Sequence, residues 1–372
     1  MLVQFVLTIM KKHQIKFISA SVISALALWS AACSPSGGGS SDGAAQVMRA
    51  FPESAELAMY FDQSAISESD FSEAIQDLQE DLPETPENEQ AQEFAEQFTE
   101  VTGLEDDDVT DFALAISGLE NAQMDPSQLK ISGGIFATKP VTTEQVVAAV
   151  QLIAEQNDEE LEMTITTGDG ADFIEFPKEP GSPEMHAAVV TGESSTVVFF
   201  GDLPSVEASL ARSSGSVPAG LEAASKGLID GQQGWISVVL PDSLKAQLAQ
   251  TTAQMEAMIP NLSAANSLES VGVGIKTAES LDVAVGFNLG SSDDAVIMEG
   301  ILNNQLISFA KMMLAGGTPE PLPLLNSLTA SQSENRAVLS MVVTIEDIKI
   351  LQAQLMSFLP SGNMGVTPSA VQ

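Results

Sequence analysis

Two apolar alternations separated by a short polar link constrain this chain most. Leu268–Lys276 puts Val271, Val273 and Ile275 on one face, and Leu281–Leu289 does the same with Leu281, Val283, Val285 and Phe287. A period of two marks a half-buried strand, and a tight link between two such runs favours antiparallel pairing. Gly272, Gly274 and Gly286 fall on the opposite face. Glycine inside a strand signals a close approach. The approaching group could be another sheet, a ligand or ordinary internal packing.

Around this pair the second half of the chain reads β-α-β-β-α-β-β-α. Gly234–Leu240 is a strand, and Asp242 caps a helix over Ser243–Met258. Ser291 and Ser292 cap a long helix over Asp293–Leu314, with Asp293 and Asp294 at its positive end. Leu328–Ser333 and Ala337–Thr344 form a hairpin, and Thr344 with Asp347 opens a last helix to Leu359. The first half can be written in the same order with insertions. Its parts are a strand at Ala55–Phe61, acidic amphipathic helices from Ser67 and Asn88, and strands at Phe112–Ile116 and Ile131–Ala137. A helix with a Thr142/Gln145 capping box and a hairpin at Ala187–Phe200 follow. Residues 55–71 align with 234–250, 111–149 with 270–300, and 186–210 with 331–355. The fold class is therefore α+β. Two similar halves are expected at 46–230 and 231–360, each an antiparallel sheet packed with helices, from an internal duplication. The competing reading is two unrelated α+β halves. Residues 361–372 read as a loose polar tail.

Charge narrows the partners. The chain holds 14 basic and 51 acidic residues, and between Ala50 and Leu129 there are 22 acids and no Lys or Arg. Nucleic-acid binding rests on Lys and Arg contacts to phosphate, so DNA and RNA are excluded, and anionic lipid headgroups are repelled. Electrostatically chosen partners would be basic or divalent cations; solubility in salty water explains the same surface more simply.

The N-terminus carries a separate message. Lys11, Lys12 and Lys16 precede an apolar stretch from Phe17 to Trp29, then Ser30, Ala31, Ala32 and Cys33, the only cysteine. A basic start, a short apolar core and small residues before a cut make an export signal over residues 1–32. The stretch is too short for a span, which needs about 20 apolar residues. Met10 opens a more compact version and is the expected true start. The segment ending at Cys33 resembles the lipobox of bacterial lipoproteins, in which the cysteine is acylated and becomes the first mature residue. It departs from that pattern at Ser30, where an aliphatic residue is usual. Small residues there would also suit an ordinary secretory peptidase, releasing a soluble protein with one free thiol. By the same resemblance, Ser34 in place of aspartate directs the protein to the outer membrane. Residues 33–45 continue as a Gly/Ser-rich flexible tether.

The body offers little chemistry. After the signal, which contains His13, only His186 remains. It has no G-x-S-x-G motif to serve and reads as a surface residue. Transition-metal sites need several His or Cys ligands. Glu105-Asp106-Asp107-Asp108 is the densest acidic run, but it lacks the EF-hand spacing and suits a helix start or loop better than calcium. The GDGAD sequence at Gly168 is a turn without a phosphate-binding Lys. Paired carboxylates could in principle hydrolyse a glycoside, although two Trp and one Tyr offer few sugar-stacking faces. Met255, Met258, Met298, Met312 and Met313 lie on helices and could line an apolar groove, though helical Met is usually core.

The expectation is thus an exported cell-envelope protein, anchored to the membrane by a lipid on Cys33, with a non-enzymatic binding or scaffolding role toward an unknown protein or apolar ligand. No catalytic, cofactor or metal residue is assigned. The alternatives are a hydrophobic-ligand carrier using the Met-bearing helices, and a carboxylate-dependent hydrolase.

Overall fold

The structure is a computed structural model that describes residues 41–80, 86–122, 128–156, 161–168, 170–177, 184–309, 311 and 324–358. The export signal, Cys33, the first part of the tether, Met312, Met313 and the tail lie outside the described residues.

The chain is mixed helix and strand, built on one large antiparallel sheet. Its strands are β1 (Leu57–Asp62), β2 (Val109–Ser117), β3 (Lys130–Ala137), β4 (Thr164–Thr167), β5 (Asp172–Glu175) and β6 (His186–Thr191). They continue with β7 (Thr196–Gly201), β8 (Gly234–Val239), β9 (Leu268–Thr277), β10 (Leu281–Leu289), β11 (Thr329–Ser333) and β12 (Arg336–Val343). Their order across the sheet is β11-β12-β10-β9-β8-β1-β2-β3-β7-β6-β5-β4. Two separate sheets were expected, and one is found. The physical reason is the pairing of β1 with β8, in which Leu57 meets Val238, Ala58 meets Ser237 and Tyr60 meets Trp235. Both strands are apolar or small on both faces, the pattern of a central strand buried on two sides.

The main helices are α1 (Ser41–Val47), α2 (Gln63–Ser67), α3 (Asp70–Glu80), α4 (Pro86–Thr102), α5 (Thr143–Gln156), α6 (Leu203–Ala211) and α7 (Ala219–Ser225). They are followed by α8 (Asp242–Met255), α9 (Ser292–Ile301) and α10 (Ile345–Phe358). The caps expected at Thr142, Ser291 and Thr344 form, but Asp242 is the first residue of α8 and makes no cap bond, because Pro241 stands at the N-cap. Thr142 and Gln145 bond reciprocally at 2.9 and 3.3 Å, Ser291 accepts from Asp294 N at 3.1 Å, and Thr344 and Asp347 bond reciprocally at 2.9 and 3.2 Å. Instead of one helix from Ser67, α2 and α3 are separate, with Ser69 accepting from Ser72 N at the break. The helix expected to run to Leu314 changes at Leu302 into a wider π-type turn reaching Ile307.

Helices cover both faces of the sheet. On one face Leu114, Ile116, Ile131, Val189, Phe200, Val238 and Val271 join Ala295, Met298 and Leu302 in the larger core. On the other, Ala58, Tyr60, Ala113, Ala115, Phe199 and Trp235 pack with Val47, Val206 and Leu221. The glycine-bearing face of β9 and β10 belongs to this second layer. A Cβ on Gly272 would strike the main chain of Ala224 and Ser225 in α7, and one on Gly286 would strike Leu228. Internal packing is therefore what approaches these glycines.

The tether expected to reach Ala45 ends sooner, because Ser41–Val47 is helical. Gly43 lies directly over the Asp111 carboxylate, and Val47 sits on Gly134. Close backbone approach at two small residues holds a helix that its own sequence would not sustain.

Candidate functional site

Three polar constellations and two sheet edges are the places where this body could act. The first is a buried carboxylate. Asp111, 2 % exposed on β2, accepts from Tyr60 Oη at 2.7 Å and Thr110 Oγ1 at 2.8 Å. Burial pushes its carboxyl above the ordinary range, the two hydrogen bonds hold it down, and nearby Asp62 raises it again. Burial first, then Asp111, pushes the Tyr60 phenol far upward, so it stays a donor. Both residues lie under α1. The sequence gives a weak signal here, a single Asp inside the apolar run of β2, and its partner is a strand away.

The second is the acidic run. Asp106–Asp108 forms one 3-10 turn leading into β2. Asp108 Oδ2 accepts from Glu105 N at 2.7 Å and from Lys139 Nζ at 2.7 Å, while Glu105 Oε2 lies 3.9 Å from the same ammonium. Carboxylate oxygens of Glu105, Asp107 and Asp108 approach within 4.8 Å of one another. A cation fits such a cluster, and Lys139 already supplies one. Bonding to Asp108 raises the Lys139 pKa, so the ammonium keeps its charge.

The third is His186. It was expected at the surface and is instead buried, 7 % exposed, at the start of β6, with Nε2 3.3 Å from Glu184 Oε1. It lies on an interior strand, opposite Glu175 of β5 on one side and Gly201 of β7 on the other, and this accounts for the difference. The described methionines are divided between core and surface. Met298 fills the larger core, whereas Met258 is exposed.

All three arginines are spent inside the fold. Arg49 Nε donates to Ser209 O at 3.1 Å and Nη2 to Leu210 O at 2.9 Å, at the end of α6. Its guanidinium also lies 5.1 Å from the Phe199 ring centre. Arg336 donates to Ala223 O and to Lys226 O at the end of α7, and Arg212 to Arg49 O and Phe51 O. Cations at helix C-termini satisfy orphan carbonyls and oppose the helix dipole.

The two sheet edges are finished differently. On β11, the Asn303 carboxamide donates to Ala330 O and accepts from Ala330 N, both at 3.2 Å. One side chain thus occupies the outward main-chain groups of Ala330, the second residue of the strand. On β4, Thr164, Ile165, Thr166 and Thr167 are all exposed, and among the described residues the strand pairs only with β5. Its position at an edge is not written in its own residues, because sheet order is a tertiary property.

Neither a family model, nor a curated protein, nor a solved structure matches this chain, so the body matches no recognised family. No helix among the described residues is long and apolar enough to cross a membrane.

Proposed function

We propose that the chain is exported, acylated on Cys33 and held at the cell envelope, at the outer membrane by the Ser34 rule, where its body binds or scaffolds a partner without turning over a substrate. The carrying observation is the N-terminal arrangement. A basic and then apolar segment ends in small residues and the lone Cys33, and a glycine- and serine-rich tract follows. Helix α1 takes Ser41–Ala45 out of the tether that the sequence suggests, which would bring an anchored body closer to the lipid surface. The binding role is supported by how the polar groups are used. In the acidic run Asp108 is paired with Lys139, Asp111 is held by Tyr60 and Thr110, and the arginines close helix ends.

The body also reads as a duplication. Outward from β1 come β2, β3, β7 and β6; outward from β8 come β9, β10, β12 and β11 in the same order. Antiparallel contact of β1 with β8 is what a two-fold axis normal to the sheet requires. Ala58 lies opposite Ser237, the residue with which the sequence alignment equates it. One strand further out, Ala58 borders Ala115 and Ser237 borders Gly272. That slips the alignment of β2 with β9 by two residues and keeps every residue on its face. β4 and β5 are then an addition to the first half.

Metabolic labelling with an alkyne fatty acid tests the anchor. The wild type should be labelled and Cys33→Ala should not. Equal labelling of the two, or none in either, contradicts the proposal.

A further inference from the structure

The two ends of the sheet differ in a way that points to binding. A sheet edge presents unpaired N–H and C=O groups, and proteins that keep to themselves blunt it with charges, proline, bulges or a cover. The β11 edge is blunted by Asn303, whose amide imitates a neighbouring strand at Ala330. Among the described residues the β4 edge has none of these devices. Thr164-Ile165-Thr166-Thr167 carries no charge and no proline, and its register with β5 runs without a bulge. All four residues favour extended backbone through branching at Cβ. Ile165 is 41 % exposed, yet its partner across the ladder, Ile174, is 0 % exposed in the larger core. A strand laid beside β4 would therefore set a side chain next to Ile165 and extend a core that already exists.

We infer that β4 is a strand-addition site, and that its occupant is an extended segment of a partner protein with basic residues at its ends. This deepens the binding role proposed above and rests on it. Main-chain hydrogen bonds supply affinity in such complexes, and alternate side chains supply selectivity. The basic character follows from charge. Glu162 and Glu175 are exposed beside the edge, and the whole chain carries a net charge of −37. A second copy fits poorly for the same reason, since two strongly anionic bodies would meet. A four-residue edge also offers far less than the ~1,200–2,000 Å² that a stable interface between folded proteins buries. A short peptide strand has neither difficulty.

The test uses the full chain purified in detergent and two fluorescent peptides, KKTVTVTVKK and EETVTVTVEE, with binding read by anisotropy. Alternate residues of an edge strand point their N–H outward, so either Ile165→Pro or Thr166→Pro removes an outward donor. Thr166→Lys adds an edge charge and leaves the backbone intact. The lysine peptide should bind and slow amide exchange across residues 164–167. At least one proline variant and Thr166→Lys should weaken binding tenfold or more without lowering the melting temperature, and the glutamate peptide should not bind. The proposal is overturned if the lysine peptide fails to bind, or binds all variants equally through surface charge alone. It is also overturned if sedimentation shows a dimer that the proline variants abolish, which would make the occupant a second copy. Fatty-acid labelling at Cys33 is independent of each result, so failure at β4 and failure of the anchoring proposal are told apart.

Discussion

Replacing Gly272 with alanine should destabilise the protein, although alanine is the better residue on conformational grounds alone. Glycine to alanine ordinarily gains about 0.4–1 kcal/mol by restricting the unfolded chain. At Gly272 the new Cβ would overlap Ala224 O, lie 2.5 Å from Ala224 C and 3.0 Å from Ser225 N. These are main-chain atoms of α7, so no rotamer change can relieve the contact. The helix has to lift, and it carries Leu221 and Ala224, both fully buried. Overpacking a tight interior costs about 1–3 kcal/mol. Lifting α7 also strains the bonds from Arg336 to Ala223 O and Lys226 O, each contributing about 0.5–1.5 kcal/mol. The net expectation is a loss of about 1–3 kcal/mol after the entropic gain is subtracted. Gly300→Ala is the matched control. It lies in α9 with nothing within 4 Å of the added Cβ, and should gain about 0.5–1 kcal/mol from helix propensity. Urea unfolding followed by far-ultraviolet circular dichroism gives both values. A Gly272→Ala protein as stable as the wild type would refute the packing of α7 on β9, and so would equal losses at both positions.

Three further outcomes follow from the polar contacts. Because burial raises the Asp111 pKa, its proton is held more tightly in the folded state. Its stabilising contribution is therefore full below the ordinary carboxylate range and is lost as pH rises through the raised value. The melting temperature of the wild type minus that of Asp111→Asn should fall across this window, and a difference that rises or stays flat would contradict the assignment. Asn303→Ala removes both bonds to Ala330 and should cost about 1–2 kcal/mol. It should also speed amide exchange at Ala330, and unchanged exchange would show that Asn303 does not close the β11 edge. Lys139→Met leaves Asp108 and its neighbours without their cation, so the melting temperature should drop in low salt and recover in high salt. A loss independent of salt would mean that Lys139 acts through packing.

Local chemistry made most elements legible. The Thr142/Gln145 and Thr344/Asp347 caps, the β9–β10 pair and the β6–β7 hairpin depend on residues a few positions apart. What escaped is non-local. Fusion of two sheets depends on β1 recognising β8 across nearly half of the chain, although Ala58, Tyr60, Trp235 and Ser237 hinted at strands without a solvent face. The glycines of β9 and β10 marked a close approach, but only the structure assigns it to α7 and Leu228. His186 was misplaced because its strand start is short and its cover comes from other strands. Residues 41–45 look like tether because α1 owes its helix to Asp111 and Gly134 beneath it. The β4 edge was invisible for the reason given by sheet order: nothing in Thr-Ile-Thr-Thr says which strand lies last.

The anchoring claim is tested most directly by the intact mass of the mature protein recovered from the membrane fraction. The account predicts a chain beginning at Cys33 whose mass exceeds that of the polypeptide by a diacylglyceryl group, with or without a further acyl chain. A chain beginning at Ser34 or at one of the residues before Cys33, or one starting at Cys33 with only its polypeptide mass, would contradict it.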